Sequence, residues 1–303
     1  MSKTLLITGA TGKQGGAVIN ALLSSPSIPP ITILALTRNP TSASAKALMA
    51  KSPTIKLVPG NLDDPTAIFT TAATSIWGVF SVQIFRPGHA GAEREERQSK
   101  ALIDAALENG VKHFVYSSVD RHGERSDSDP TNVPQFANKY RSEKYLQEKS
   151  AGTNMAWTIL RPVAFMENFT TGFIRKVTAA LWKFAIPATK PVQFVATADI
   201  GFFAAQAFLN LEQYNGRVLS LAGDELTFPQ AEIMFKEKIG KELPRTFGIV
   251  SWALIKAVKE IKLMFKWLAE VGAAADIVEL RKMHPSLMTF GDWLEKESGF
   301  VKR

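Results

Sequence analysis

The chain has 303 residues, 46% hydrophobic and 21% charged, which fits one large α/β core or a core with a smaller appended domain and argues against predominant disorder. It has no cysteine, which excludes disulfide bonds, thiolate catalysis and cysteine-ligated metal sites. The net charge of +8 is spread along the chain without a dense basic arm, so direct nucleic-acid binding is not expected.

The sequence also argues against a secreted, membrane-spanning or metal-dependent protein. Glycine interrupts the first apolar run within a few residues, so neither a secretion signal nor a membrane span is expected at the amino terminus. The four histidines lack the spacing typical of metal ligands. We therefore expect a soluble intracellular protein, cytoplasmic or also nuclear.

The first predicted element is a strand, residues 4–7, that leads into a glycine-rich segment and then into a helical pattern. The spacing Gly-x-x-Gly-x-x-Gly between a strand and a helix predicts a dinucleotide-binding turn. Gly9 would make the tight turn, Gly12 would let the backbone approach a pyrophosphate, and Gly15 would allow close contact between helix and strand.

The second predicted strand, residues 31–36, is followed by Arg38, where a Rossmann-type fold reads the adenosine ribose. An NAD site usually has Asp or Glu there, whereas an arginine can form a forked, charge-assisted pair with a 2′-phosphate. Arg38 therefore favours NADP, and the alternative is a solvated loop arginine. Lys3 and Lys46 could also supply positive charge, but neither is as well placed.

Strands and helices continue to alternate through the first half of the chain. Near-continuous apolar strands separated by helices predict an α/β fold with a Rossmann-type, doubly wound parallel sheet covered on both faces. The predicted strands cover residues 54–58, 77–82 and 111–117, and the predicted helices cover residues 65–73 and 93–109.

Two segments that follow these strands should border the cofactor. Asn61, Leu62 and Asp63 come after the third strand and would lie on the adenine side, although Asp63 could equally cap the next helix or stabilise a turn. The loop 83–91 follows the fourth strand, begins with Gln83 and contains two glycines and a proline. A loop in this position could close over a ligand.

The fifth strand ends at Ser117, where short-chain reductases place a hydroxyl opposite the nicotinamide. Those enzymes usually carry Tyr-x-x-x-Lys on the next helix, where the lysine holds the ribose and lowers the pKa of the phenol. Tyr140 and Lys144 have this spacing, but they lie on a polar helix face with Gln147. Lys139 shares the stripe that should face the fold, so it is favoured, with Tyr140 and Lys144 as the alternative.

Several motifs together make the chain resemble the NmrA-like family over nearly its whole length. The resemblance is carried by segments 8–16, 37–40, 60–64, 136–139, 157–162, 165–169 and 284–293, which read TGATGKQGG, TRNP, GNLDD, FANK, WTILRP, FMENF and HPSLMTFGDW. It implies an NADP-binding Rossmann domain with a smaller carboxy-terminal substrate subdomain. The family includes both reductases and NADP redox-sensing regulators.

The resemblance also implies roles for individual residues: the glycine segment for the pyrophosphate, Arg38 for the 2′-phosphate, Asp63 for the adenine side and Lys139 for the nicotinamide ribose. Many relatives have His-x-x-x-Lys where this chain has Gln135 and Lys139, so a possible acid is missing. The full set expected to contact NADP(H) is Gly9, Thr11, Gly12, Lys13, Gln14, Gly15, Arg38, Asn61, Leu62, Asp63, Gln83 and Lys139.

The carboxy-terminal half should supply the substrate side. Residues 1–160 are expected to form the NADP-binding domain, and residues 161–303 mostly a substrate or lid subdomain, with some segments returning to the sheet. Phe165, Met166 and Asn168 could line a pocket for an apolar or aromatic small molecule, or the aromatic residues of this segment could pack the subdomains together.

The later part of the chain predicts further strands over residues 191–195 and 218–222, a helix opened by Asp199 and another helix capped by Thr227. Residues 250–272 predict one amphipathic basic helix. A core-packed helix with a solvated face explains this pattern better than a membrane or partner contact. Its apolar stripe is Leu254, Val258, Ile261, Phe265 and Leu268, and its lysines are Lys256, Lys259, Lys262 and Lys266.

Two functions remain open. The first, slightly favoured because a substrate-sized subdomain is present, is an NADPH-dependent reductase in which protonation is completed by water or by Ser117, Ser118 or Tyr140. The second is a non-catalytic sensor in which NADP(H) occupancy or redox form orders the loop 86–91 and alters the surface that a regulated protein binds. Gln135 favours the sensor, because a sensor needs no proton donor.

Overall fold

The computed structural model describes residues 3–25, 31–84, 89–170, 173–246 and 248–300. The chain divides into two compact units. Unit 1 consists of Met1–Ser118, Asn138–Arg161 and Ile200–Leu219, and unit 2 consists of Val119–Ala137, Pro162–Asp199 and Ser220–Arg303. The chain therefore passes from one unit to the other five times, after residues 118, 137, 161, 199 and 219.

The strands follow the alternation predicted from the sequence. Their bounds are β1 Lys3–Ile7, β2 Ile31–Thr37, β3 Ile55–Pro59, β4 Gly78–Ser81, β5 His113–Ser117, β6 Ala156–Pro162, β7 Ala164–Phe165, β8 Val192–Val195, β9 Arg217–Leu221 and β10 Asp224–Leu226. In the described residues, the main sheet has seven strands in the order β3-β2-β1-β4-β5-β6-β9. Neighbours from β3 to β6 run parallel.

The strand order of the main sheet reverses at β1. Strands β2 and β3 lie on one side of it and β4 to β6 on the other, so the switch point is between β1 and β4. In open α/β sheets, ligands bind outside the carboxyl ends of the strands at such a point. The topology confirms the predicted doubly wound parallel sheet and directs attention to the carboxyl ends of β1, β4 and β5.

The helices begin close to the predicted positions. Their bounds are α1 Lys13–Ser24, α2 Ala43–Met49, α3 Pro65–Ala72, α4 His89–Glu108, α5 Pro134–Ser150, α6 Phe173–Ala185, α7 Thr197–Leu209, α8 Leu211–Tyr214, α9 Phe228–Ile239, α10 Gly248–Ala257, α11 Lys259–Glu270, α12 Ile277–Met283 and α13 Phe290–Lys296. Two short 3₁₀ helices cover Gly123–Asp127 and Met166–Phe169. Helix α7 begins two residues before the predicted Asp199, which lies in its first turn.

Strand β5 shows that helices cover both faces of the main sheet, because successive residues of a strand point to opposite faces. Phe114 packs in an apolar cluster with residues of α3, α4 and α5. The ring of its neighbour His113 contacts Phe208 of α7, with the ring centroids 5.6 Å apart. Helix α7 packs closely on α1, since a Cβ at Gly201 would lie 2.5 Å from the backbone of Ala17.

Unit 2 contains a three-stranded sheet, in the order β10-β8-β7, and a core rich in aromatic rings. The rings contact one another with centroids 4.9 to 6.1 Å apart, mostly tilted or edge to face, which is the favoured arrangement. We call this set the aromatic cluster: Phe169, Trp182, Phe194, Phe228, Phe290 and Trp293.

The helix predicted over residues 250–272 is two helices. Helices α10 and α11 are separated at Val258, whose backbone is extended with φ −116° and ψ 101°. A β-branched residue adopts this conformation readily, so the break costs little at this position. The solvated lysine face persists across the break, and Leu254, Ile261, Phe265 and Leu268 pack against the core of unit 2. Among the described helices, none is long and apolar enough to span a bilayer.

Candidate functional site

The glycine turn joins β1 to α1 at the switch point of the sheet. Gly9 has a φ of 58°, in the left-handed region that favours glycine, and its carbonyl accepts from the amide of Gly12 at 2.8 Å. A Cβ at Gly15 would lie 2.4 Å from the carbonyl oxygen of Gly9 and 2.5 Å from that of Thr8. The turn therefore requires glycine at position 15, where the helix contacts the strand end.

The amino terminus of α1 is suited to an anion. Gly12 is its N-cap, no side chain caps the helix, and the first turn contains no acidic residue. Uncapped amides and the positive end of the helix dipole together favour a phosphate. Thr11 and Lys13 are exposed beside this terminus. This terminus fits a pyrophosphate for two reasons. No side chain caps the helix, so its first amides can bind an anion, and glycine at position 15 keeps the turn tight.

Arg38 follows the carboxyl end of β2. It is exposed and makes no hydrogen bond or ion pair with any described residue, so its guanidinium is available to a ligand. The turn after it is fixed by the side chain of Asn39, whose oxygen accepts from the amide of Thr41 at 3.0 Å and from its hydroxyl at 2.7 Å. Arg38 thus extends from an ordered turn at the sheet edge.

Asp63 lies in the loop between β3 and α3 and is bound by neighbouring side chains. Its carboxylate accepts from Arg94 Nε at 2.9 Å, from Gln98 at 2.7 Å and from Asn61 at 2.9 Å. The hydrogen bond from Arg94 contributes most to holding the pKa of Asp63 well below its usual value. The alternative of a helix cap is corrected, because Asp64 is the N-cap of α3 and accepts from the amide of Ala67.

The end of β4 is tied to the end of β1. The Thr8 hydroxyl donates to the carbonyl of Val82 at 3.0 Å and accepts from its amide at 2.8 Å. Gln83 follows, is buried, and donates to the Ser81 hydroxyl at 2.9 Å. Its amide oxygen has no hydrogen-bond partner among the described residues. A buried acceptor without a donor is unusual and marks a place that a ligand could satisfy.

Only part of the loop predicted after β4 lies within the described residues. Residues 85–88, which include Arg86, lie outside the described residues, as does the side chain of His89. The helix predicted to begin at residue 93 begins at His89, so residues 89–91 belong to α4 and not to the loop.

The end of β5 is linked to the glycine turn and to α5. The Ser117 hydroxyl donates to the side-chain oxygen of Gln14, in the first turn of α1, at 2.6 Å. The ammonium of Lys139 donates to the Ser117 carbonyl at 3.1 Å. Three of the residues predicted from separate motifs therefore meet at the carboxyl edge of the sheet.

Lys139 has a partner that the sequence reasoning missed. Its Nζ lies 2.9 Å from Oε1 of Glu95, a side chain of α4 that is 2% exposed. Burial lowers the pKa of Lys139, but Glu95, followed by Tyr116 and Glu143, outweighs burial, so this pKa lies well above its usual value. The signal for Glu95 was its position, because it shares one helical stripe with the buried Ser99, Leu102, Ile103 and Ala106.

A second buried charge pair lies on α5 and β6. Arg161 donates to Glu143 from Nε at 3.1 and 3.2 Å and from Nη2 at 2.6 Å, and both side chains are almost completely buried. The Ser118 hydroxyl also donates to Glu143. We call Glu95, Lys139, Glu143 and Arg161 the charged cluster. Its two carboxylates and two cations balance, as buried charges require.

Tyr140 and Lys144 lie on a more exposed face of α5. The Lys144 Nζ is 5.5 Å from the centroid of the Tyr140 ring, and Lys144 is exposed. By contrast, Phe136, Glu143 and Leu146, which share a helical stripe with Lys139, are buried. Helix α5 therefore directs Lys139, and not Lys144, toward the end of β5.

Gln135 cannot act as an acid in the way that a histidine at this position could. Its side-chain amide contacts the sulfur of Met264 at 3.1 Å, within unit 2. The amide is thus engaged in packing and carries no group that could transfer a proton at neutral pH.

The predicted substrate residues lie in unit 2, in β7 and the 3₁₀ helix after it. Phe165 and Asn168 are half-buried, whereas Met166 is fully buried in the core beside the aromatic cluster. Met166 therefore packs in this core, and its predicted contact with a substrate stays a prediction. In the described part of the chain, no group of three or more histidine, aspartate or glutamate side chains is arranged to hold a metal ion.

Comparisons with known proteins agree with this geometry. The model of the NmrA-like family matches residues 1–294. The chain is 27% identical to the NmrA-like family domain-containing oxidoreductase FrzB of Cladobotryum sp, over 90% of this chain and 85% of that protein. It is also 27% identical to quinone oxidoreductase 2 of Escherichia coli, over 90% of this chain and 87% of that protein.

Solved structures have the same fold. The NADPH complex of the NADPH-dependent quinone oxidoreductase from Escherichia coli matches with a TM-score of 0.68 and 25% identity, covering 96% of this chain and 98% of that one. The NADP complex of NmrA, a negative transcriptional regulator, matches with a TM-score of 0.71 and 18% identity, covering 98% and 95%.

Proposed function

The chain belongs to the NmrA-like family, and on this premise we propose that it is an NADPH-dependent reductase of a quinone or a similar apolar, aromatic small molecule. The observation that carries the proposal is the uncapped, glycine-lined amino terminus of α1 at the switch point of the sheet. Relatives described as oxidoreductases support it, among them a quinone oxidoreductase.

The residues present fit NADPH in three places. The glycine turn and the amides of α1 would hold the pyrophosphate, Arg38 would pair with the 2′-phosphate, and Lys139 would donate to the nicotinamide ribose. Bound NADPH supplies the hydride. The protein's contribution is to bind and orient the cofactor at the carboxyl edge of the sheet.

Further contacts extend the proposed cofactor site along that edge. Asn61, Leu62 and Asp63 would border the adenine, with Asp63 already fixed by Arg94. The buried amide oxygen of Gln83 would accept a hydrogen bond from the ligand and so acquire the partner that the described residues do not supply.

The protonation groups of the site favour a quinone over a ketone. The hydroxyls of Ser117 and Ser118 are buried and donate to Gln14 and Glu143. Lys139 holds its proton firmly, because the pKa of its ammonium is raised. Reduction of a ketone produces a strongly basic alkoxide and needs an acid, whereas a hydroquinone oxygen is a weak base that water can protonate. Tyr140, the phenol considered as an acid, lies with Lys144 on the more exposed face of α5 and not at the end of β5.

On the substrate side, Phe165 and Asn168 remain the proposed contacts. Both are half-buried, and they offer an aromatic ring and an amide to a planar substrate with carbonyl oxygens. The physiological substrate is proposed at the level of this chemical class.

The test begins with calorimetric titration of the wild-type protein and Arg38→Ala with NADPH, NADP, NADH and NAD. We expect tighter binding of the phosphorylated pair, and Arg38→Ala should weaken it by about 1.5–3 kcal/mol, roughly tenfold to a hundredfold, without weakening NADH or NAD. Arg38→Lys is the matched variant, because it keeps the charge and loses the fork. Equal weakening of all four nucleotides would contradict the role of Arg38.

The second step follows NADPH oxidation with a benzoquinone and, separately, with an aromatic ketone of similar size. The proposal expects turnover with the quinone and little or none with the ketone. NADPH binding without turnover of either compound would contradict a reductase.

A second function is favoured by one observation. Gln135, whose amide contacts Met264, leaves no acid at the position where the family resemblance implies a histidine. A sensor that distinguishes NADP from NADPH needs no acid, and it would act through a protein partner. A large difference in affinity between NADPH and NADP, combined with absent turnover, would favour the sensor. Similar affinities combined with quinone turnover would favour the reductase.

A further inference from the structure

Glu95 has one function visible in the structure, which is to hold Lys139. Its carboxylate is almost completely buried on α4, and Oε1 lies 2.9 Å from Nζ of Lys139. Beyond this ion pair, neither carboxylate oxygen has a hydrogen-bond partner among the described residues. A buried carboxylate is strongly unfavourable unless a cation compensates it, so Glu95 depends on the lysine as much as the lysine depends on it.

The contacts fix the position of the lysine head from two directions. The ammonium of Lys139 is on α5, its carboxylate partner is on α4, and its second acceptor is the Ser117 carbonyl at the end of β5. A free lysine side chain has many rotamers, and ordering it costs conformational entropy. Because Glu95 and the Ser117 carbonyl already order the Lys139 side chain in the free protein, a ligand that binds there does not have to order it.

The charged groups that face Lys139 come from each element packed against it. Glu95 faces it from α4, Tyr116 from β5 and Glu143 from α5. Glu143 is already bound by Arg161 and Ser118, and the Tyr116 ring centroid lies 5.6 Å from Nζ. Glu95 is therefore the one carboxylate in the described chain that contacts the ammonium directly. Without it, burial would become the main influence on the pKa of Lys139.

We propose that Glu95 is a positioning residue that keeps Lys139 charged and fixed at the end of β5, so that the lysine acts toward NADPH as a permanent cation and hydrogen-bond donor. The inference rests on the proposed function for its NADPH part. The ion pair itself stands on the geometry alone. The pair joins a carboxylate on α4 to an ammonium on α5. Because the ammonium keeps its proton, Lys139 does not serve as the proton source.

The experiment compares Glu95→Gln with the wild-type protein and with Glu96→Gln. Glutamine preserves the size of Glu95 and removes its charge. Glu96 is the adjacent acid on α4, and it pairs with Lys100 and Arg141 instead of Lys139, so it controls for loss of a carboxylate on this helix.

The first readout uses no cofactor. Brief acetylation with acetic anhydride between about pH 6 and about pH 10, followed by mass spectrometry, measures how much of each lysine is uncharged. We expect Lys139 to stay unmodified in the wild-type protein and Glu96→Gln, and to react at least about tenfold faster in Glu95→Gln at the alkaline end, corresponding to a pKa lower by at least about one unit. Lys144 should react equally in all three proteins, because it is exposed.

The second readout is NADPH affinity across the same pH range. Burial without a carboxylate lowers the pKa of the lysine, so Glu95→Gln should bind like the wild-type protein at low pH and lose affinity as pH rises. The wild-type protein and Glu96→Gln should show no difference from each other in this profile. A role in packing alone would instead weaken binding equally at every pH.

If Glu95→Gln folds poorly, the variant Glu95→Gln with Lys139→Met removes both charges and should recover much of the lost stability in urea unfolding, since a neutral pair needs no compensation. An additive loss in the double variant would overturn the ion pair.

Unchanged acetylation of Lys139 in Glu95→Gln would overturn the proposal, as would a pH-independent change in NADPH affinity. Absence of NADPH binding by the wild-type protein would overturn the proposed function and the role toward NADPH. Because acetylation needs no cofactor, it would still show whether Glu95 holds the lysine, so the two failures are distinguishable.

Discussion

The charged cluster of unit 1 and the aromatic cluster of unit 2 are both buried, but different forces hold them together. The charged cluster depends on pairs between specific atoms, such as Arg161 with Glu143 and Lys139 with Glu95. The aromatic cluster depends on the area and shape of rings, and two of its members, Trp182 and Trp293, even bury an indole N–H that has no acceptor among the described residues.

The difference teaches what each region can tolerate. Rings can be exchanged for apolar side chains of similar volume at moderate cost, because the packing energy is distributed over many contacts. A member of a buried charge pair cannot be removed alone without leaving an uncompensated charge. We therefore expect unit 2 to respond to lost volume and the edge of unit 1 to respond to the loss of particular chemical groups.

The largest effect should come from Trp293→Ala. Trp293 is fully buried in the aromatic cluster, and its truncation should lower the free energy of unfolding by about 3–5 kcal/mol, measured by urea unfolding. Phe184→Ala is the control, because that ring belongs to the same unit and is 53% exposed; it should change stability by less than about 0.5 kcal/mol. Similar losses in both variants would break the comparison.

Arg161→Met should be the next largest change, with a loss of about 3 kcal/mol, because methionine fills much of the space but leaves the Glu143 carboxylate without its bidentate partner. The decisive control is the double variant with Glu143→Gln, which should be more stable than Arg161→Met alone. If the double variant is less stable, the region responds to lost volume like the aromatic cluster.

Gly15→Ala tests the backbone of the glycine turn, where the pyrophosphate is proposed to bind. The added methyl group would meet the carbonyl oxygens of Gly9 and Thr8, so we expect about 1–3 kcal/mol of destabilisation together with a loss of NADPH affinity. A Cβ at Gly16 lies 3.5 Å from its nearest neighbour, and Gly16→Ala should be neutral or slightly stabilising. Equal behaviour of the two variants in unfolding and calorimetry would contradict the close contact.

Asp292→Asn should have the smallest effect and a defined pH dependence. Asp292 is the third residue of α13, and its hydrogen bond from the Thr289 hydroxyl contributes most to lowering its pKa to about 2. A depressed folded-state pKa adds stability above the unfolded value, near pH 4, and that stability is lost as pH falls toward 2. The variant should lose about 1 kcal/mol at neutral pH and nothing near pH 2, a difference that acid titration of unfolding measures.

The sequence was sufficient for the sheet and the glycine turn because both use local patterns. Apolar runs between glycine and proline located most strands within one or two residues, and the spacing of Gly9, Gly12 and Gly15 predicted a turn whose contacts leave no room for a Cβ at position 15. Where local preference was weak, the sequence interpretation failed. The pattern around Val258 continued a helical period, although the backbone is extended there.

Glu95 shows why part of the site could not be predicted. It stands in the charge-rich run AEREERQSK, which is typical of a solvated helix face, and the lysine that it holds is on another helix. Only its position on the same helical stripe as the buried Leu102 and Ala106 distinguished it from the other charged residues. The role of a carboxylate on an apolar stripe cannot be predicted until the cation that compensates it is known. Met166 shows a different limit, because its apolar sequence context does not distinguish a pocket wall from a core.

The five passages of the chain between the units bear on its synthesis. Unit 1 lacks its last segment until Leu219 has been made, and unit 2 lacks α13, with Trp293, until that helix has been made. Domains that are continuous in sequence can fold one after the other during translation. Here each unit remains incomplete while segments of the other are being made, so the nascent chain must keep its unpaired apolar segments from aggregating until α13 has emerged.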